Sequence, residues 1–245
     1  MPISKNEIKL VKSLQLKKYR ESLGLFVVEG IKLTEELFGQ SKYTIDRIFC
    51  TNDYAADLPE NVPFERINEK DLERISGLKQ PNKILAVVQS QPQNDAIDFE
   101  DTILILDDIK DPGNLGTILR TADWFGIKQI VASSNSVDLY NPKVIQSSMG
   151  AIYRINFSRM ELADVLNDLS QHEFEILGAE LNGTNLYEKK FETKTALVMG
   201  SESHGISDEL KSRLTASITI PKFGETESLN VAMATGIILS QMRGK

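Results

Sequence analysis

The 245-residue chain has one cysteine, two histidines and one tryptophan. Cys50 alone cannot close an intramolecular disulfide, and His172 with His204 are too few donors for a structural zinc site. A metal-free protein is expected. No unbroken apolar run approaches the ~18–20 residues that a membrane span needs. The N-terminal stretch is basic but has no apolar h-region, so no secretory signal is expected and a cytoplasmic protein is. Positive charge is not in excess either: 28 Lys and Arg stand against 35 Asp and Glu, a formal net charge of −7. That balance argues against a generic nucleic-acid binder, because phosphate contacts come from cationic side chains.

What is present is a globular composition, 41% hydrophobic and 26% charged, long enough for two domains or one large one. Charge is unevenly placed. Residues 1–90 sum to +1 and residues 91–245 to −8. Within the first twenty, Lys5, Lys9, Lys12, Lys17, Lys18 and Arg20 face only Glu7. Ser4 and Glu7 form a capping-box signature before Ile8, Val11 and Leu14, so a first helix is expected. Lys5, Lys9 and Lys12 then share one face of it, either a basic stripe able to meet an anionic partner or an ordinary solvated face. Alternating helix and strand signals follow to Val88. The polar stretch Gln89–Asp95 has nothing to bury and reads as a linker. The resulting division is a small α/β domain over 1–90, a linker over 91–100 and a second domain over 101–245.

The second domain opens on Thr102–Leu106, a continuous apolar run typical of a strand buried on both faces. Strand and helix signals then alternate, with strands expected at 128–132, 153–157, 174–178 and 195–199. Such an order implies a mostly parallel sheet with ligands at the carboxyl ends of its strands. Three loops at such ends carry chemistry. The first, 107–126, joins a strand, a Gly/Pro turn and a helix start that can cradle an anion, and bears Asn114 and Arg120. Its Gly113 and Gly116 do not complete the dinucleotide fingerprint G-x-G-x-x-G, which disfavours an NAD-type oxidoreductase. The second, 196–207, ends an apolar strand at Met199-Gly200-Ser201-Glu202. Its Ser203 is no nucleophile elbow, since Ser201 stands where the first glycine belongs and no later histidine completes a triad. The third runs from Ile218 to Gly236, with Ser228 expected to cap a final helix. Gly236 inside that helix suggests close backbone packing, because glycine there costs ~1 kcal/mol against alanine.

Together the three loops resemble the three motifs of the SpoU (TrmH-like) family of RNA ribose 2′-O-methyltransferases, in the SPOUT superfamily. The matching residues are Asn114, Gly116 and Arg120, then Gly200 and Glu202, then Ile220, Pro221, Gly224, Ser228, Leu229 and Asn230. Ala232 departs from the serine common at that place. Residues 1–90 resemble, more weakly, a substrate-binding domain. The resemblance implies a mostly parallel α/β sheet with a C-terminal trefoil knot. It implies S-adenosylmethionine held by backbone around Met199, Gly200, Ile220 and Leu229, and methyl transfer to a ribose 2′-hydroxyl of ribosomal or transfer RNA. Asn114, Arg120, Glu202, Ser228 and Asn230 are the implied catalytic set. Arg120 and the helix-1 lysines would contact RNA. Glu202 would either pair with Arg120 or orient Asn114. A homodimer is implied too, with Trp124 and Phe125 either at its interface or in the core. The alternative is a non-catalytic RNA-binding protein on the same scaffold.

Overall fold

In the computed structural model, helix α1 (Lys5–Ser13) starts at the capping box. Ser4 Oγ accepts from the Glu7 N–H at 3.2 Å, and the Glu7 carboxylate accepts from the Ser4 N–H at 2.9 Å. The structure describes residues 3–55, 58–59, 62–93, 96–99 and 101–244. Helix α2 (Lys17–Leu23), absent from the sequence reading, has no side-chain cap and stops at Gly24, whose φ of 62° is left-handed. Next come β1 (Leu25–Glu29), α3 (Ile31–Phe38), β2 (Ile45–Thr51), β3 (Glu65–Ile67), α4 (Glu69–Ile75) and β4 (Ile84–Gln89). The strands form one sheet in the order β1-β4-β2-β3, antiparallel except for β2 with β3. Ile8, Val11 and Leu14 pack with Val27, Phe49, Leu72, Leu85 and Val87 as its core.

The chain divides into two compact units, Met1–Pro92 with Asp138–Tyr153, and Gln93–Val137 with Arg154–Lys245. The expected boundaries are thereby corrected twice. First, the expected linker 91–100 is partly docked. Ile97 and Phe99 pack on the core of the second unit, and the Gln129 side chain accepts from the Asp98 N–H at 2.7 Å while donating to Ala96 O at 3.1 Å. Asn94, Asp95 and Glu100 of that stretch lie outside the described residues. Second, residues 138–153, read from sequence as part of the C-terminal domain, belong to the N-terminal unit. Aromatic and ionic contacts hold them there. Tyr140 stacks on Phe26 with ring centroids 4.5 Å apart, and Tyr153 meets Tyr43 edge-on at 5.8 Å. The Arg20 guanidinium donates to Asp138 Oδ2 through Nε at 3.0 Å and Nη2 at 2.6 Å, and through Nη1 to Leu14 O at 2.8 Å.

The second unit starts with β5 (Ile103–Leu106), α5 (Pro112–Trp124) and β6 (Gln129–Ser133). After β6 the chain contributes α6 (Pro142–Ser148) to the first unit. It returns as β7 (Asn156–Met160), α7 (Leu162–Gln171), β8 (Glu175–Asn185), β9 (Thr195–Met199), α8 (Asp208–Lys211), β10 (Ala216–Thr219) and α9 (Val231–Arg243). Strand β7 begins three residues later than its apolar pattern predicts. Tyr153 is committed to the first unit, where its hydroxyl donates to Leu33 O at 3.1 Å, so pairing starts only at Asn156. The sheet order is β10-β8-β9-β5-β6-β7 and every neighbouring pair is parallel. All four residues of β5 are buried, as a strand covered on both faces requires.

Because Arg20 and Asp138 are both buried, losing either leaves a charge without its partner. Asp138→Ala is expected to destabilise the protein by about 3–5 kcal/mol. The urea midpoint should fall at unchanged m-value.

Candidate active site

Parallel pairing puts the carboxyl ends of β5, β9 and β10 on one edge of the sheet, and each of the three loops leaves from one of them. Strands β5 and β9 are neighbours. From β5 the chain builds outward through β6 and β7 on one side, and β9, β8 and β10 lie on the other. That reversal is a topological switch point, where open parallel sheets leave a crevice for ligands.

Local chemistry shapes each loop. After β5, Asp111 caps α5, its Oδ1 accepting from the Asn114 N–H at 2.9 Å, and Pro112 occupies the first turn. Asn114 is thereby set in the first turn of α5. After β9, Gly200 meets the chain's own return: a Cβ there would lie 2.1 Å from the Gly205 carbonyl carbon. The turn is closed by a pair of backbone hydrogen bonds between Ser201 and Gly205, each 3.0 Å, and Gly205 has a left-handed φ of 69°. Asp107, a buried carboxylate missed by the sequence reading, accepts from the Ser207 N–H at 2.8 Å and ties the second loop to the first. Its signal was an acidic residue directly after an apolar strand.

The third loop is capped differently from the expectation. Asn230, not Ser228, is the N-cap of α9: its Oδ1 accepts from the Ala232 and Met233 N–H groups at 3.0 and 3.3 Å. Ser228 lies two residues upstream, exposed and without a hydrogen bond among the described residues. The Asn230 amide also faces the other way. Its Nδ2 donates to Asn114 Oδ1 at 2.9 Å, and Asn114 Nδ2 donates to Glu202 Oε1 at 2.5 Å. One relay, Asn230 to Asn114 to Glu202, joins all three loops. Of the two partners open for Glu202, it has Asn114.

Arg120 makes no hydrogen bond with the relay. Six residues beyond Asn114, it is about 9 Å further along α5 and a third of a turn around it. Its side chain is exposed and has no ion pair among the described residues. Trp124, at the end of the same helix, is 84% exposed, which removes the core alternative for it, while Phe125 is half-buried. Gly236 is not forced by packing within the chain: a Cβ would meet Thr121 Cγ2 at 3.6 Å, an ordinary contact. Met199 is buried, Ile220 half-buried and Leu229 exposed. In the first unit Lys5, Lys9 and Lys12 share the exposed face of α1, whereas Arg20 is withdrawn into its ion pair with Asp138. Among the described residues there is no cluster of His, Cys, Asp and Glu able to hold a metal, and no helix long and apolar enough to cross a membrane.

A wholly parallel sheet with its polar relay at a switch point defines an α/β protein built to bind a ligand at its strand ends. Comparison with known proteins sharpens that class. A profile of the SpoU rRNA methylase family matches residues 101–240, and one of the MRM3-like substrate binding domain matches residues 5–86. The chain belongs to the SpoU rRNA methylase family. It is 29% identical over 245 residues to the 23S rRNA (guanosine(2553)-2′-O)-methyltransferase RlmP of Bacillus subtilis, covering 98% of each chain. A solved structure of a TrmH-family protein from Porphyromonas gingivalis superposes with a TM-score of 0.90 at 37% identity, covering 100% of this chain and 99% of that one. An AdoMet-bound rRNA methyltransferase from Sinorhizobium meliloti superposes with a TM-score of 0.85 at 25% identity, covering 100% and 97%.

Two glycines in these loops should respond oppositely to a methyl group. Gly200→Ala forces backbone to move and is expected to cost at least about 1–3 kcal/mol. At Gly224, where a Cβ meets nothing within 4 Å, Gly224→Ala should leave the thermal midpoint nearly unchanged. Equal midpoints for the two variants would contradict the close approach at Gly200.

Proposed function

We propose that the protein transfers a methyl group from S-adenosylmethionine to a ribose 2′-hydroxyl of structured RNA, ribosomal or transfer, in the cytoplasm. The observation that carries this reading is the Asn230–Asn114–Glu202 relay, which draws the three family motifs into one hydrogen-bonded unit. The loops also fit the cofactor. The loop from Pro221 to Leu229, whose backbone makes no hydrogen bond among the described residues, offers N–H and C=O groups to an adenosine, and Gly200 permits the tight return of the neighbouring loop. Met199, Ile220 and Leu229 supply apolar surface beside them. S-adenosylmethionine, when bound, supplies an electrophilic methyl group. In this reading the C-terminal segment carries the family's trefoil knot.

The residues then divide the work. Asn114 spends one N–H on Glu202 and keeps the other for the substrate ribose, and Asn230 fixes the orientation of its amide. Ser228 lines the loop that holds the cofactor. Arg120 presents a planar fork of N–H donors. It clamps an RNA phosphate and steers the hydroxyl, and the proton leaves to phosphate or water. The exposed Arg120, which has no ion pair among the described residues, suits a homodimer in which the site is completed across the interface, with Trp124 as an apolar anchor. Lys5, Lys9 and Lys12 give RNA a basic stripe on the substrate-binding domain.

Arg120→Ala should lose methyl transfer while keeping cofactor binding. S-adenosylmethionine at ~100 times its dissociation constant should still add about 2.7 kcal/mol of stability. Retained turnover in this variant would refute the role of Arg120. Reversing charge at Lys5, Lys9 and Lys12 together should weaken RNA binding and flatten its salt dependence. Sedimentation should find a dimer at micromolar concentration, and mapping 2′-O-methyl marks in cellular RNA with and without the gene identifies the target nucleotide.

A further inference from the structure

The loop between β10 and α9 holds a side chain that the reaction scheme does not use. Phe223 is 96% exposed, more than any other large apolar residue described. A single exposed aromatic on a surface is ordinary. This one stands in a segment where every residue from Lys222 to Asn230 is exposed. No side chain from Lys222 to Leu229 has a hydrogen bond, ion pair or ring contact among the described residues. The space beside it is open, since a Cβ on the adjacent Gly224 would touch nothing within 4 Å. Both ends of the loop are nonetheless fixed at the site. One continues from β10, on the sheet edge that carries the other two motif loops, and the other is Asn230, bonded to Asn114. Strand spacing puts the end of β10 about 10 Å from that of β9 and about 14 Å from that of β5.

Charge decides what such a loop can recognise. Lys222 is its one cation, and Glu225 and Glu227 leave the segment at net −1. It cannot hold RNA by general attraction to phosphate. A neutral π-face can hold a base, and stacking needs neither a matching charge nor a given sequence. The base must be unpaired, because in an RNA duplex the base faces are already stacked on their neighbours.

We propose that Phe223 is a stacking platform for an unpaired base of the substrate RNA close to the methylated nucleotide, with Lys222 meeting a phosphate beside that base. The assignment rests on the methyltransferase reading and narrows it: the target lies in a loop, bulge or splayed strand. Specificity at this loop then comes from RNA shape more than from base identity.

The test compares Phe223→Ala, Phe223→Leu and Phe223→Trp in the full-length protein. The probes are a single-stranded oligoadenylate of about 12 nucleotides and an RNA duplex of the same length, at one salt concentration and without cofactor. The alanine and leucine variants should lose single-strand affinity by about 5- to 150-fold. Tryptophan should keep it, and duplex binding should not change. Equal affinities throughout, or rescue by leucine as complete as by tryptophan, would overturn stacking. A shift in sedimentation with RNA affinity intact would assign Phe223 to contact with a second copy and likewise overturn it. S-adenosylmethionine stabilisation of the unsubstituted protein, measured separately, reports on the methyltransferase reading alone.

Discussion

The functional architecture depends on the parallel pairing of β5 with β9 on one side and β6 on the other. In a parallel sheet all strands finish on the same edge, so loops far apart in sequence are brought together without any contact of their own. Asn114, Glu202 and Asn230 meet because their loops leave that edge. Everything closer in detail follows from it. The Asp111 cap aims Asn114, the Gly200 turn aims Glu202, and Asn230 serves both as helix cap and as relay partner.

Asn230 shows how little separates structure from chemistry here. Its side-chain oxygen satisfies two N–H groups that a helix start leaves unpaired, and its side-chain nitrogen is then free to orient a neighbour. A serine at that place could cap the helix but could not span from α9 to Asn114 with an amide. One end of the relay is a helix terminus and the other follows a turn whose glycine admits no side chain. Arg120 has the opposite character. It is exposed and has no ion pair among the described residues.

In the N-terminal unit charge is sorted by burial. Six cations crowd the first twenty residues, yet one of them, Arg20, is spent inside, fixing the 138–153 segment through Asp138. The exposed lysines of α1 remain. The overall acidity of the chain thus does not forbid an RNA substrate. It restricts where phosphate can be held, and leaves recognition elsewhere to shape and stacking.

Much of this was legible in the sequence because the signals are local. The Ser4–Glu7 box, the apolar run of β5 and the order of the three motifs each depend on neighbouring residues, and the α/β class and the placing of three motif loops at strand ends follow from them. What was misread depended on the exact start of a helix or on a partner distant in sequence. Ser228 looks like a cap until Asn230 is seen to reach Ala232 and Met233. Tyr153 looks like a strand residue until its hydroxyl is found on Leu33 O. Gly236 suggests close backbone packing until a Cβ there is seen to meet only the Thr121 side chain, at ordinary distance. The composition and motif order of the chain by themselves determined its class and the chemistry available to it. Tertiary structure alone decided that Glu202 holds Asn114, that Arg120 has no ion pair among the described residues and that residues 138–153 join the first unit. Those outcomes are set by which strand ends and side chains share space, and spacing along the chain does not encode that.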